Sequence, residues 1–208
     1  MEDDGANPYL EKKLSPNEPM KGVDGTVVDF WAWGFSDLLM NTTRSVLAEF
    51  LVGKRLGIID TPRLEWIPYD FKYREKKIEV KSSAYLQSWN QRGKHNKPKF
   101  DIKPRKTAWD NSLGKSTNID EKRQADYYIF CLFNHKEKGT ANVLDVDAWE
   151  FYSISKEKLE SDIVLPNHSN KNSISLSTIS EICVRSSYEG LKRTIDSMID
   201  GEPKVASH

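Results

Sequence analysis

Seven consecutive apolar residues, Tyr127-Tyr128-Ile129-Phe130-Cys131-Leu132-Phe133, constrain this chain most. The run has the length of a strand and reads as one buried in a sheet. Upstream, the spacing predicts a helix through Arg44–Leu56, capped by Asn41 or Thr42 and ended by Gly57. Leu64–Tyr73 is rich in β-formers, and Pro62 and Pro68 discourage a helix there, so it reads as extended. The polar turn Arg74-Glu75-Lys76 separates it from a second strand, Lys77–Lys81. Lys99–Lys103 reads as a short edge strand, and Asn142–Val146 and Glu150–Ile154 as two more. Ser155 is placed to cap a short helix through Leu159, and Leu191, Ile195, Met198 and Ile199 give the tail helical spacing. Together these elements make a mixed α/β domain.

The length of 208 residues fits one domain. Residues 1–22 are polar, with Pro8, Pro16 and Pro19, and read as a flexible arm before a single domain over 23–208. The aromatic stretch Phe30–Phe35 is expected to pack against the helix that follows. No apolar run approaches the roughly 20 residues of a membrane-spanning helix, so no membrane partner is expected. The acidic start, Met1–Gly5, does not read as a secretory signal. Two cysteines, Cys131 and Cys183, make neither a disulfide framework nor a four-cysteine zinc site. A cytoplasmic location is the expectation. The formal net charge is zero, with 31 basic and 31 acidic residues. Yet residues 71–123 hold 15 of the basic and 6 of the acidic ones, leaving 16 and 25 elsewhere. That basic middle suggests a surface facing a polyanion such as nucleic acid; a solvated charged loop is the other reading.

Chemistry concentrates in Asp70, Glu79 and Lys81. Glu79 and Lys81 lie two apart on a strand and so share a face, with Ile78 and Val80 turned the other way. A hairpin turning between Arg74 and Glu75 sets residue 73 against 76, 71 against 78 and 70 against 79. Asp70 and Glu79 then stand opposite, with Cβ atoms about 4.5–5.5 Å apart. Two like charges there are destabilising unless a cation lies between them. Mg²⁺, a hard cation bound through carboxylate oxygens, suits the position. Lys81 beside it is placed to act on a water or on a phosphate's developing charge. Glu49 sits among Val46, Val52 and Leu56 on the apolar stripe of the preceding helix, costly there unless paired or bound to metal. Its pairing candidates are Arg44, Lys54 and Arg55. A purely structural hairpin would instead pair Asp70 and Glu79 with Lys72, Lys77 or Lys81.

An acid ending one strand, Glu79-x-Lys81 on the next and a glutamate on the helix before them resembles the PD-(D/E)xK nuclease superfamily, the restriction-endonuclease-like proteins. The resemblance covers roughly residues 36–133. The first motif reads Pro68-Tyr69-Asp70, so proline precedes the acid by two, and the second reads Ile78-Glu79-Val80-Lys81. The resemblance implies a central mixed sheet flanked by helices, Mg²⁺ dependence with Mn²⁺ able to substitute, and DNA as substrate. It makes Asp70 and Glu79 metal ligands, with the Val80 carbonyl and Glu49 as further ligands, and Lys81 the catalytic lysine. Gln87 is similar to the glutamine of the exonuclease-like branch and joins the catalytic set, although Gln91 stands where that branch has tyrosine.

For nucleic-acid contact the candidates are Arg92, Lys94, Lys97, Lys99, Lys103, Arg105, Lys106 and Arg123, interleaved with Phe100 and Trp109. Arg123 has a second reading, pairing with Asp126. The expected activity is Mg²⁺-dependent hydrolysis of DNA phosphodiesters, with RNA not excluded and a homodimer open because many duplex-cutting enzymes pair two sites. The alternatives are a nuclease fold that binds nucleic acid without cutting it, and an interaction module.

Overall fold

The computed structural model describes residues 12–65, 67–110, 115–164 and 172–201; for 105–110, 115–121, 163 and 164 it describes the backbone. The helices are α1 (Val27–Phe35), α2 (Asn41–Leu56), α3 (Lys156–Leu159), α4 (Leu176–Ile182) and α5 (Tyr188–Asp200). The strands are β1 (Phe71–Tyr73), β2 (Lys76–Ala84), β3 (Lys99–Asp101), β4 (Arg105–Asp110), β5 (Lys115–Lys122), β6 (Tyr127–Phe133), β7 (Trp149–Ser155), β8 (Ser173–Ser175) and β9 (Val184–Ser186).

The fold is α/β: a five-stranded mixed sheet in the order β1-β2-β6-β7-β9, flanked by helices. The apolar run is its middle strand, β6, with all seven residues buried. β6 lies parallel to β2, and the remaining neighbours are antiparallel. Both faces are covered, as a strand without polar alternation requires. On one face α2 and α5 bring Ala48, Leu51, Val52, Leu56, Leu191 and Ile195 against Ile78, Val80, Ile129 and Cys131. On the other, Phe100, Ile102, Leu159, Ile174 and Ile179 cover Tyr128, Phe130, Leu132 and Ile154. No helix among the described residues is long and apolar enough to cross a membrane.

Several local expectations hold. Gly57 closes α2 at φ 75° in the left-handed region that glycine tolerates. Ser155 caps α3 through the Lys158 N–H, and the tail is helical as its spacing predicts, with Ser187, a cap the sequence reading did not name, accepting the Gly190 N–H. Asn41 is instead the first helical residue of α2, and Asp37 Oδ1 accepts the Leu39 and Met40 N–H groups just before it.

Others are corrected. Asn142–Val146 is not a strand. Asn142 Oδ1 takes the Leu144 N–H and Asp145 Oδ1 the Asp147 N–H, so side chains supply the backbone partners that a ladder would have needed. Of Leu64–Tyr73 only Phe71–Tyr73 is strand; Trp66 lies outside the described residues. The basic middle is not all loop: β3 pairs with β8, and β4 with β5 as a two-stranded ribbon. The aromatic stretch forms α1, which stays largely exposed. Of the arm, residues 1–11 lie outside the described residues. Farther along, the Val27 and Val28 N–H groups bond the Glu18 and Pro16 carbonyls, and Lys13 Nζ reaches the Ile59 carbonyl at 2.8 Å.

Close packing sets where β1 begins. A Cβ at Gly53 of α2 would overlap Ile59 Cγ2 and come within 2.9 Å of Phe71 Cζ. Glycine therefore lets the loop and the first residue of β1 lie directly on the helix.

Candidate active site

The site is built by a turn. Arg74 and Glu75 take φ 47° and 65°, both left-handed, which makes the two-residue hairpin turn whose twist suits antiparallel strands. Neither is glycine, so the conformation is strained. Arg74 is held by ion pairs to Asp196 at 3.3 Å and Asp200 at 2.6 Å on α5, and Lys72 pairs with Glu75 at 2.6 Å. The turn fixes the register Tyr73↔Lys76, Lys72↔Lys77 and Phe71↔Ile78. That is the register that hairpin arithmetic gives as far as Phe71. Asp70 departs from it: its N–H donates at 2.9 Å to the carbonyl of Ile78, the residue already opposite Phe71, so the expected ladder pairing of Asp70 with Glu79 does not form.

β1 ends there, so the next β2 backbone groups facing that edge meet the Asp70 side chain. The Val80 N–H donates to Asp70 Oδ2 at 2.6 Å. The Val80 carbonyl leaves the strand on the same side as its N–H, past the end of β1. Glu79 and Lys81 turn to the opposite face from Val80, beside Tyr128 and Phe130 of β6. Glu79 is only 4% exposed, and Lys81 Nζ reaches Glu79 Oε1 at 2.5 Å. This is one of the pairings expected of a structural hairpin, but a carboxylate buried this deeply is not a surface ornament.

Glu49 approaches from α2, also buried. Its cation is not Arg44, Lys54 or Arg55 but Arg63, from the loop between Gly57 and β1. Arg63 Nε and Nη2 both bond the Glu49 carboxylate, the second at 3.0 Å, and Nη1 holds Glu65 at 2.8 Å. Glu49 holds the Arg63 guanidinium above its ordinary pKa. Arg63 carried no signal in the sequence, because a loop brings it to Glu49.

Asp70 thus lies between two carboxylates that each have a cation. Burial first, then repulsion from Glu79 and Glu49, pushes its pKa up to about 7; the Val80 N–H and Lys81 pull the other way. Among the described residues no three His, Cys, Asp or Glu side chains form a group that would hold a metal. The oxygens of Asp70 and Glu79 and the Val80 carbonyl are nonetheless hard donors of the kind Mg²⁺ takes. A divalent cation there would offset the burial and the repulsion that together raise Asp70, and on that chemistry the residues fit the ion.

The remaining predicted residues fall into three groups. Gln87 is buried next to Arg44, with Arg44 Nη1 3.5 Å from Gln87 Oε1, and its own amide bonds the Ala84 carbonyl. Arg44 also donates to the Leu39 carbonyl and Asn41 Oδ1, and burial lowers its pKa to about 10. Gln87 therefore braces the start of α2. Arg92, Lys94, Lys97, Lys99 and Lys103 are exposed. The side chains of Arg105 and Lys106 lie outside the described residues. Arg123 is buried, with Nε on the Ile102 carbonyl at 2.9 Å and Nη1 4.0 Å from Glu160.

A shallow cleft with a cavity volume of about 10 Å³, room for about one water, opens over the second face. Glu79 and Lys81 line it together with Lys103, Lys122, Arg123, Gln124 and Tyr128. Lys122 and Gln124 were not singled out from sequence; they end β5 and lead into β6, a placement only the fold provides. Comparisons of the chain with protein-family models, with curated proteins and with solved structures give no match.

Proposed function

We propose that the protein is a Mg²⁺-dependent hydrolase of DNA phosphodiesters with a restriction-endonuclease-like core. The observation that carries the reading is the Asp70 carboxyl, buried near Glu79 and Glu49 with its pKa pushed up to about 7, while Glu79 and Lys81 line the cleft on the second face. Burying like charges together costs stability, and such pairs mark sites where a cation or a proton is handled.

Asp70, Glu79 and the Val80 carbonyl would hold the ion, with Glu49 completing the set if Arg63 releases it. Bound there, Mg²⁺ supplies Lewis-acid polarisation of a phosphoryl oxygen and a more acidic water. Lys81, kept in the cleft by Glu79, offsets charge that develops on the phosphate. Lys103, Lys122 and Arg123 set positive charge around the same cleft, which favours a phosphate backbone. The exposed Arg92, Lys94, Lys97 and Lys99 extend that charge across the surface.

One observation favours the alternative, a nuclease fold that binds nucleic acid without cutting it. Glu49 and Glu79 already have cations of their own, in Arg63 and Lys81. Incubating plasmid and single-stranded DNA with Mg²⁺, Mn²⁺ or EDTA decides between the two. Cleavage that EDTA abolishes, and that Glu79→Ala and Lys81→Ala each remove, supports the hydrolase. Metal-independent DNA binding without cleavage supports the alternative.

A further inference from the structure

Helix α1 presents an apolar surface to water. Of its nine residues only Val27 is buried. Trp33 is 84% exposed, and Val28, Phe30, Trp31 and Phe35 are 37–47% exposed. The aromatic and aliphatic area left open is roughly 500 Å², near the upper end for a patch on a monomer. Leu14 and Val23, in the segment leading into the helix, are exposed as well. Two copies of the α1 surface alone would bury about 1,000 Å² in total, the lower bound for a specific interface.

Its charge narrows the occupant. The one charged side chain on α1 is Asp29, and its Oδ2 is engaged by the Thr26 N–H at 2.7 Å and Oγ1 at 2.8 Å in a capping box. The flanks carry Asp24 and Asp37 against Lys21. A phosphate backbone or an anionic bilayer would meet no cation on this helix. A surface of the same kind, uncharged and aromatic, is the better complement, and a second copy supplies one through a twofold axis.

We propose that α1 is the centre of a homodimer interface, packed against the partner's α1 with Trp33 as anchor. The inference stands on the exposure of α1 and not on the nuclease reading. If both hold, the pairing places two candidate sites on one particle, because α1 leads through residues 36–40 into α2, which carries Glu49.

The test is sedimentation equilibrium of the full chain over about 1–100 μM, a range that reports micromolar association. Wild type is expected to be a dimer whose tryptophan emission shifts to the blue as concentration rises. An interfacial tryptophan is worth about 30-fold, and a twofold axis counts it twice, so Trp33→Lys weakens the dimer about 1,000-fold. Its far-UV circular dichroism, and its melting temperature at low concentration, stay those of the monomer. Should Trp33→Lys misfold, Phe35→Ser gives the same readout from a second exposed position. A wild type that stays monomeric throughout overturns the proposal, as does open-ended aggregation. A dimer that neither substitution weakens also overturns it, since the interface then lies elsewhere.

Discussion

The Val80 backbone N–H donates to Asp70 Oδ2 at 2.6 Å, one residue past the last paired position of β1. A carboxylate so bonded normally has a lowered pKa. Here Asp70 titrates near 7, so burial and two neighbouring carboxylates outweigh the bond. Asp70 is held in place by the backbone and strained by its surroundings.

That strain has a sign. The folded-state pKa of about 7 lies above the ordinary 3.8, so folding favours the protonated form. Nothing is lost below pH 3.8, where folded and unfolded chains both hold the proton. Stability then falls as pH rises towards 7. Asp70→Asn keeps an acceptor for Val80 and carries no charge. In EDTA it should be more stable than wild type by up to about 4 kcal/mol at pH 8, shrinking as pH falls towards 4. Denaturant unfolding at pH 5 and pH 8 checks this; equal gains at both values would contradict it.

Metal should act where the proton does. Mg²⁺ at neutral pH is expected to raise the wild-type melting temperature and to leave Asp70→Asn much less affected. A shift of the same size in both proteins would place binding elsewhere.

The Arg63–Glu49 pair gives a third prediction. Arg63→Gln leaves Glu49 buried without its cation. With Arg63 partly exposed, a loss of about 1–3 kcal/mol in EDTA is expected, below that of a fully buried pair. If Glu49 is a ligand, Mg²⁺ then stabilises Arg63→Gln more than wild type. An unchanged metal response would show that Glu49 stays outside the site.

The hairpin turn can be relieved. Glu75 holds φ 65° without being glycine. Glu75→Gly should stabilise the protein by about 1 kcal/mol, since the ion pair it gives up with Lys72 is exposed and worth little. Thermal melts are the measurement.

Gly53→Ala should do the opposite. Its methyl group meets Ile59 and Phe71, and the expected loss is about 1–3 kcal/mol. Because Phe71 adjoins Asp70, any DNA cleavage should fall by more than the loss of folded protein explains.

The hairpin was legible because a two-residue turn and a strand period of two fix register by counting. β6, α2, α3, β7 and α5 were legible for a similar reason: their period or caps are local. Arg63 was not, because its contact with Glu49 comes from the path of a loop. The β4–β5 ribbon was missed because Arg105–Asp110 and Lys115–Lys122 are polar and lack strict alternation. In α1 the apolar residues were visible, but a short run that is apolar nearly all round does not tell a packed face from an exposed one.

The parallel pairing of β2 with β6 has a kinetic corollary. The turn brings Asp70 and Glu79 together across a loop of two residues, whereas the Lys77–Asp126 contact at the start of the β2–β6 pair spans 49. Local closure precedes distant closure. The two acids therefore meet first in water, where their repulsion is weak, and the cost of dehydrating them falls on the docking of β6. Refolding should slow at that late step, and acidification should hasten it.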